Sequence, residues 1–168
     1  YGIYSGFEKR LFQDQLTVNA TVRMDKNENF DYLFSPAASL VWKPAADNFL
    51  RMSFSSAIRN PTLSDQYLNL NVGRATLVGN LDGFTDLISL ESFQRFASSL
   101  NQNDLEYFDI DPVTPEKVRT LETGYRTTLF NNTYLDLGYY YSFYEDFLGF
   151  KIGIDSEFDP ATNFPINT

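Results

Sequence analysis

The sequence predicts an all-β chain: about six antiparallel strands that cross a membrane as a segment of a larger up-and-down barrel. Three observations carry this. Apolar and polar residues alternate over long runs, of which the clearest sets Leu16, Val18, Ala20, Val22 and Met24 against Thr17, Asn19, Thr21, Arg23 and Asp25. Several runs reach the ~9–11 residues a tilted strand needs to span a bilayer, where soluble strands average about 5–6. The connections between runs alternate short and long, as short periplasmic turns and long extracellular loops do in outer-membrane barrels.

The elements follow in order. Residues 1–11 form the first strand, with the weakest pattern because Glu8, Lys9 and Arg10 interrupt it. Phe12-Gln13-Asp14-Gln15 turns into the second, residues 16–25, and a polar loop over 26–31 leads on. The third, residues 34–43, opposes Ala38, Leu40 and Trp42 to Ala37, Ser39, Val41 and Lys43. Pro44-Ala45-Ala46-Asp47-Asn48 supplies turn chemistry, since Pro presets φ and Asp and Asn tolerate tight geometry. The fourth strand, residues 49–59, sends Leu50, Met52, Phe54 and Ile58 one way and Arg51, Ser53, Ser55 and Arg59 the other. A long excursion over 60–117 follows, in which 69–78 suits a small hairpin. Residues 86–100 suit a helix, with Leu90, Phe93, Phe96 and Leu100 at near-helical spacing and Asp86 or Ser89 as N-cap. The fifth and sixth strands, 118–130 and 134–147, meet at Asn131-Asn132, residues suited to the positive φ of a tight hairpin. Another loop begins at about residue 150.

Composition narrows the class. The 168 residues include 16 Phe and 11 Tyr, yet mean hydropathy is −0.30, which places rings at interfaces with water and not in a large helical core. Cysteine is absent, removing disulfides and thiolate metal sites. So is histidine, the usual general base and commonest metal ligand; neither catalysis nor a cofactor is expected. A net charge of −9 argues against a nucleic-acid partner, which needs a basic stripe. No run approaches the ~18 apolar residues of a membrane helix. The chain opens with Tyr1 inside an expected strand and without Met, so it reads as an internal piece of something longer.

A soluble sandwich also alternates. Against it stand full charges in mid-strand, Arg23, Arg51, Glu122, Arg126 and Asp136, which a packed core rejects and a wet or plugged bore accepts. Rings also gather at expected strand ends: Phe12, Trp42, Phe49 and Phe130 by the short turns, and Tyr32, Phe34, Phe143 and Tyr144 by the long loops, like two aromatic girdles. Six strands leave open edges, which cost several kcal/mol per unsatisfied group in lipid, so further strands must complete the barrel.

Specific stretches point to a family. Phe34-Ser35-Pro36-Ala37-Ala38-Ser39-Leu40-Val41-Trp42-Lys43-Pro44 resembles the "SPR-x-x-L-x-Y-x-P" strand and turn of TonB-dependent outer-membrane receptors, with Ala37 where Arg is usual. Leu50 to Thr62 is similar to "LRASY-x-x-x-FR-x-PT", with Ile58 replacing the common Phe, and it continues into a loop, residues 65–74, that looks like the Bacteroidetes-type branch. Pro115-Glu116-Lys117, then Glu122, Gly124 and Tyr125, resemble "PE-K-x-x-x-x-E-x-G-Y", and residues 139–147 are like the "YY-x-x-Y-x-D-x-I" that follows it. The resemblance covers nearly the whole chain. It implies a ~22-stranded barrel with a plugged bore, of which residues 1–168 are a later portion lacking the plug and the last strand. It also implies active import of a scarce nutrient (siderophore, glycan, peptide or vitamin) in the outer membrane of a Gram-negative cell. The implied partners are outer-membrane lipid, the rest of the barrel and its plug, the TonB complex through an N-terminal region, and a surface lipoprotein.

Candidate residues fall into two sets. Arg51, Arg59, Glu122, Arg126, Asp136, Tyr140 and Tyr144 should face the bore, to line a path, meet the plug or pair across strands. Tyr67, Arg74, Arg95 and Tyr107 in the long loop are candidate ligand contacts, whereas Phe93 and Phe96 suit that loop's own small core. The loop carboxylates Asp104, Glu106, Asp109 and Asp111, and Asp155, Glu157 and Asp159, lack the Gly-bearing spacing of a calcium loop and read as solvated surface. The alternative class is a soluble or surface-exposed β-rich binding or adhesin module.

Overall fold

The computed structural model describes every residue except Asn131, Pro160, Ala161, Asn163, Asn167 and Thr168, so the expected Asn131-Asn132 turn lies partly outside the described residues. Along the chain run β1 (Gly2–Leu11), β2 (Leu16–Asp25), β3 (Leu33–Ala45), β4 (Asn48–Arg59), α1 (Leu63–Tyr67), β5 (Asn69–Asn71), β6 (Thr76–Val78), β7 (Phe84–Ile88), α2 (Leu90–Ser99), a 3-10 turn (Gln102–Asp104), β8 (Tyr107–Ile110), β9 (Glu116–Leu129) and β10 (Thr133–Glu145). They form two units: residues 1–60 with 114–147, and residues 61–113 with 148–168.

The first unit is one antiparallel meander of six strands, ordered β1-β2-β3-β4-β9-β10. Residues directly opposite in an antiparallel ladder share a face, so the register sorts the side chains. One row runs Leu16, Trp42, Leu50, Tyr125, Leu137, and another runs Phe7, Ala20, Ala38, Phe54, Leu121, Tyr141. The opposite face carries Thr17, Val41, Arg51, Gly124 and Gly138 in one row and Asn19, Ser39, Ser53, Glu122 and Tyr140 in the next. The apolar face is uncovered: Met52, Leu121 and Leu137 are all more than half exposed. A sandwich would press Val18, Leu40, Phe54 and Leu137 against a second sheet, and this unit contains a single one.

Connections over residues 12–15, 46–47 and 130–132 are tight, and those over 26–32 and 60–115 are longer. Phe12, Gln13 and Asp14 form the first turn with φ of 53°, 56° and 67°, closed by Gln15 N–H donating to the Phe12 carbonyl at 3.1 Å. Register parity overturns the girdle expectation for Phe49 and for Tyr144, the latter also expected at the bore. Phe49 opposes Arg126 and Tyr144 opposes Val118, so both rings stand on the polar face. Trp42, Phe34 and Phe143 do stand on the apolar face, at opposite ends of it.

The second unit closes a small core of its own. Among the described residues the buried hydrophobic side chains are Phe30, Leu87, Ile88 and Phe96, and the last three belong here. The helix starts later than its spacing suggested. Asp86 lies in β7 at φ 57° and its N–H donates to the Asp109 carboxylate at 3.0 Å, while Ser89 caps α2 and Leu100 ends it in the left-handed region at φ 56°. Phe96 packs against Phe93 and, edge to face, against Phe158 at 5.3 Å. A reciprocal box caps α1: Thr62 Oγ1 accepts from Asp65 N–H at 3.2 Å, and the Asp65 carboxylate accepts from Thr62 N–H at 2.7 Å. The expected hairpin forms as β5 and β6, with Leu70 opposite Leu77.

Candidate functional site

All seven residues expected at the bore stand on the polar face of the sheet. Arg59 opposes Glu116, Arg51 opposes Gly124, and Arg126 opposes both Phe49 and Asp136; Glu122 lies between Ser53 and Tyr140, and Tyr144 opposes Val118. Two of the seven, Arg51 and Arg126, converge on the carboxylate of a third, Asp136. Arg126 donates to Asp136 Oδ2 from Nε at 3.1 Å and from Nη2 at 2.8 Å, and Arg51 Nη2 donates to Oδ1 at 3.1 Å. The Tyr134 hydroxyl adds a longer bond at 3.4 Å, and its ring lies 5.6 Å from the Arg126 guanidinium.

Arg51 reaches β10 from β4 because glycine clears its way across β9. A Cβ at Gly124 would run into Arg51, 3.0 Å from Cγ, 3.1 Å from Cζ and nearer still to Nε, so the Arg51 side chain would have to shift, and Gly138 continues the bare lane on β10. Nη2 is satisfied at the far end, while Arg51 Nε is buried with no hydrogen-bond partner among the described residues. Arg59 pairs with Glu116, and the Thr120 and Ser142 hydroxyls bond at 2.8 Å. Glu122 has no such pair among the described residues, and Tyr140 and Tyr144 are well exposed.

At the long-loop end, where β3 and β4 part, lies a recess of about 360 Å³ lined by Arg23, Asp25 and Ser35 from the polar face and by Ser56 and Asn60 of the β4 end, among others. Its cause is a proline. Lys43 N–H donates to the Gln15 carbonyl at 2.7 Å, which turns the backbone groups of odd-numbered β3 residues towards β2 and those of even-numbered ones towards β4. Pro36 therefore lacks its N–H on the β4 side. The β3–β4 ladder ends at Ala37 opposite Ser55, one pair before Pro36 would have to donate. Arg23 chelates Asp25 from Nε at 2.7 Å and Nη2 at 2.8 Å. Close by, outside the strands, the Tyr1 and Tyr32 hydroxyls meet at 3.0 Å, and that bond raises the Tyr1 phenol above its ordinary pKa.

A family model described as "TonB dependent receptor-like, beta-barrel" matches residues 1–167. The chain belongs to that family. No curated protein and no solved structure matches it. The sheet is therefore a portion of a TonB-dependent receptor barrel; receptors of this family are transporters or receptors of the Gram-negative outer membrane and in general have a plug domain and interact with TonB. No helix among the described residues is long and apolar enough to cross a membrane; a barrel crosses with strands.

The loop candidates of this receptor separate into two places. Tyr67 ends α1 and Arg74 sits in the turn between β5 and β6, both exposed. Arg95 on α2 pairs with Glu106 at 2.5 Å, next to exposed Tyr107 at the start of β8. No group of acidic side chains able to hold a metal ion occurs among the described residues. The Gly124–Gly138 lane and the Pro36 recess were not anticipated. The parity of the two glycines on the polar face, and a proline inside a strand, were the available signals.

Proposed function

We propose that these residues are wall and outer-loop structure of an importer of a scarce nutrient (a siderophore, glycan, peptide or vitamin) of the Bacteroidetes type. Cargo binds outside, and passes inward when the TonB complex pulls the plug. The observation that carries this reading is the two-faced sheet: through the middle of the strands the register gathers apolar side chains on one face, uncovered, and charges on the other, while the charges on the apolar face, Lys9, Lys117, Arg119 and Glu145, lie towards strand ends. Hydrocarbon suits the first face and a wet or plugged bore the second.

In this reading Arg51, Arg59, Glu122, Arg126, Asp136, Tyr140 and Tyr144 look onto the plug or the cargo path. Tyr67, Arg74, Arg95 and Tyr107 offer hydrogen bonds and ring faces to cargo, or to a surface lipoprotein that delivers it. The chemistry is binding and release; no bond is made or broken by these groups.

The test is uptake by cells making the full-length receptor, with radiolabelled representatives of each cargo class, with and without TonB. One class should accumulate only when TonB is present, while its surface binding persists in both strains. Binding without TonB-dependent entry for every class would replace the importer with a surface-binding module.

A further inference from the structure

We infer that residues 61–113 of the excursion after β4 and residues 148–159 of the tail after β10 are one rigid body that stays assembled throughout transport. Ile88, the last residue of β7, and Ile154 in the tail exchange both backbone bonds, Ile88 N–H to the Ile154 carbonyl and the reverse, each at 2.9 Å. That is the close, fully bonded kind of antiparallel pair, joining segments far apart in sequence. Around it the tail completes a core that the excursion cannot close alone. Ile88 has no exposed surface. Gly153 lies so near Leu87 and Phe108 that a Cβ would meet Leu87 Cβ, Leu87 Cδ1 and Phe108 Cζ at 3.0 Å each. Lys151 Nζ rests 4.1 Å from the Phe108 ring centre, and Phe158 closes on Phe96.

The energetic reason is the small size of the parts. A two-stranded sheet such as β7–β8 is marginal in water by itself, and a third extended segment is what gives it independent stability. Detaching the tail would expose Ile88, Leu87 and Phe96 together, so the two loops open as one cooperative unit or not at all. The chain enters this body from β4, leaves it into β9 and rejoins it from β10, so three strands share one tether. A ligand touching Arg95 or Tyr107 therefore bears on the same body as the tail. The inference rests on the importer reading for its role, and on packing alone for its existence.

The test uses the full-length receptor carrying Ile88→Cys and Ile154→Cys, in a region that has no native cysteine. A close antiparallel pair has Cα atoms ~5.5 Å apart, within the span a disulfide accepts. Uptake by the oxidised double variant should stay within about 2-fold of the reduced form, since the locked pair never separates. A loss of roughly 10-fold on oxidation, restored by reductant, would overturn the inference. Amide hydrogen exchange on the unmodified receptor decides the matter if the double variant does not fold. Residues 84–88, 107–110 and 152–156 should exchange together, and tail amides exchanging about 10-fold or more faster than Ile88 would overturn it. Absence of uptake in the unmodified receptor as well would count against the importer reading only, leaving exchange to judge the rigid body.

Discussion

Arginine placed at neighbouring positions of β3 separates lipid contact from water contact by a single residue. Leu40 lies near the middle of the strand on the apolar face, between Val18 and Met52, and Ser39 lies on the polar face between Asn19 and Ser53. An arginine on the lipid side at mid-bilayer costs about 2–4 kcal/mol, falling to about 0–1 near the interface. Leu40→Arg should therefore lower the folding equilibrium roughly 30- to 1,000-fold. Ser39→Arg should stay within about 0.5 kcal/mol. Leu16→Arg, on the same apolar face but at the turn end beside Trp42, should cost no more than about 1 kcal/mol. The assay is urea titration of the full-length receptor refolded into lipid vesicles, read by heat-modifiable gel migration. A packed protein core would also reject Leu40→Arg, so Ala38→Leu completes the set. Exposed Ala38 sits between Ala20 and Phe54, where hydrocarbon tolerates a larger side chain and a close-packed core would charge about 1–3 kcal/mol. Equal costs for Leu40→Arg and Ser39→Arg, or a cost above about 1 kcal/mol for Ala38→Leu, would refute the reasoning.

Three further outcomes follow from local geometry. Gly124→Val fills the lane that Arg51 crosses, so Arg51 should leave Asp136; phenylglyoxal should modify Arg51 faster, by roughly 3-fold or more, with Arg126 unchanged. Thr62→Ala removes the cap of α1, worth about 1 kcal/mol, and should speed amide exchange over residues 63–68 about 5-fold with no effect on the sheet. Pro36→Ala restores the donor facing β4, so the ladder should extend to Ser56 and a cysteine placed there should react with maleimide several-fold more slowly, roughly 3-fold.

Most of the sheet was legible because a half-buried strand writes its two faces into alternate residues. Leu16 to Met24 could be paired with Phe34 to Trp42 from pattern alone, and the structure has that register without a slip. Nearness to a strand end misplaces Phe49, when parity with Arg51 already puts it on the polar face; Tyr144 falls in both sets, and parity with Tyr140 is the sounder guide. The second unit was less readable. Asp86 was assigned to a helix because Leu90, Phe93 and Phe96 carry a helical period, and nothing in that period marks where the preceding strand stops. The pairing of Ile88 with Ile154 leaves no local trace: it is a match between two short apolar segments, decided by what the rest of the core leaves uncovered.

Charge divides the two units as sharply as packing does. Residues 61–113 and 148–168 hold 11 of the 22 carboxylates, against Arg74, Arg95 and Lys151 alone, so this unit carries −8 of the chain's −9. The sheet is close to neutral, and its charges are largely spent on each other, as in Arg51 and Arg126 with Asp136 or Arg59 with Glu116. In the importer reading, a cargo that comes within about 8 Å of this unit at physiological salt enters a negative field. For an anionic cargo that field opposes encounter, and raising salt should speed association; for a cationic one, salt should slow it. Stopped-flow association with the full-length receptor at low and high ionic strength reads the sign directly. An anionic cargo whose association slows as salt rises would show that a positive surface elsewhere on the receptor, and not this unit, governs its approach.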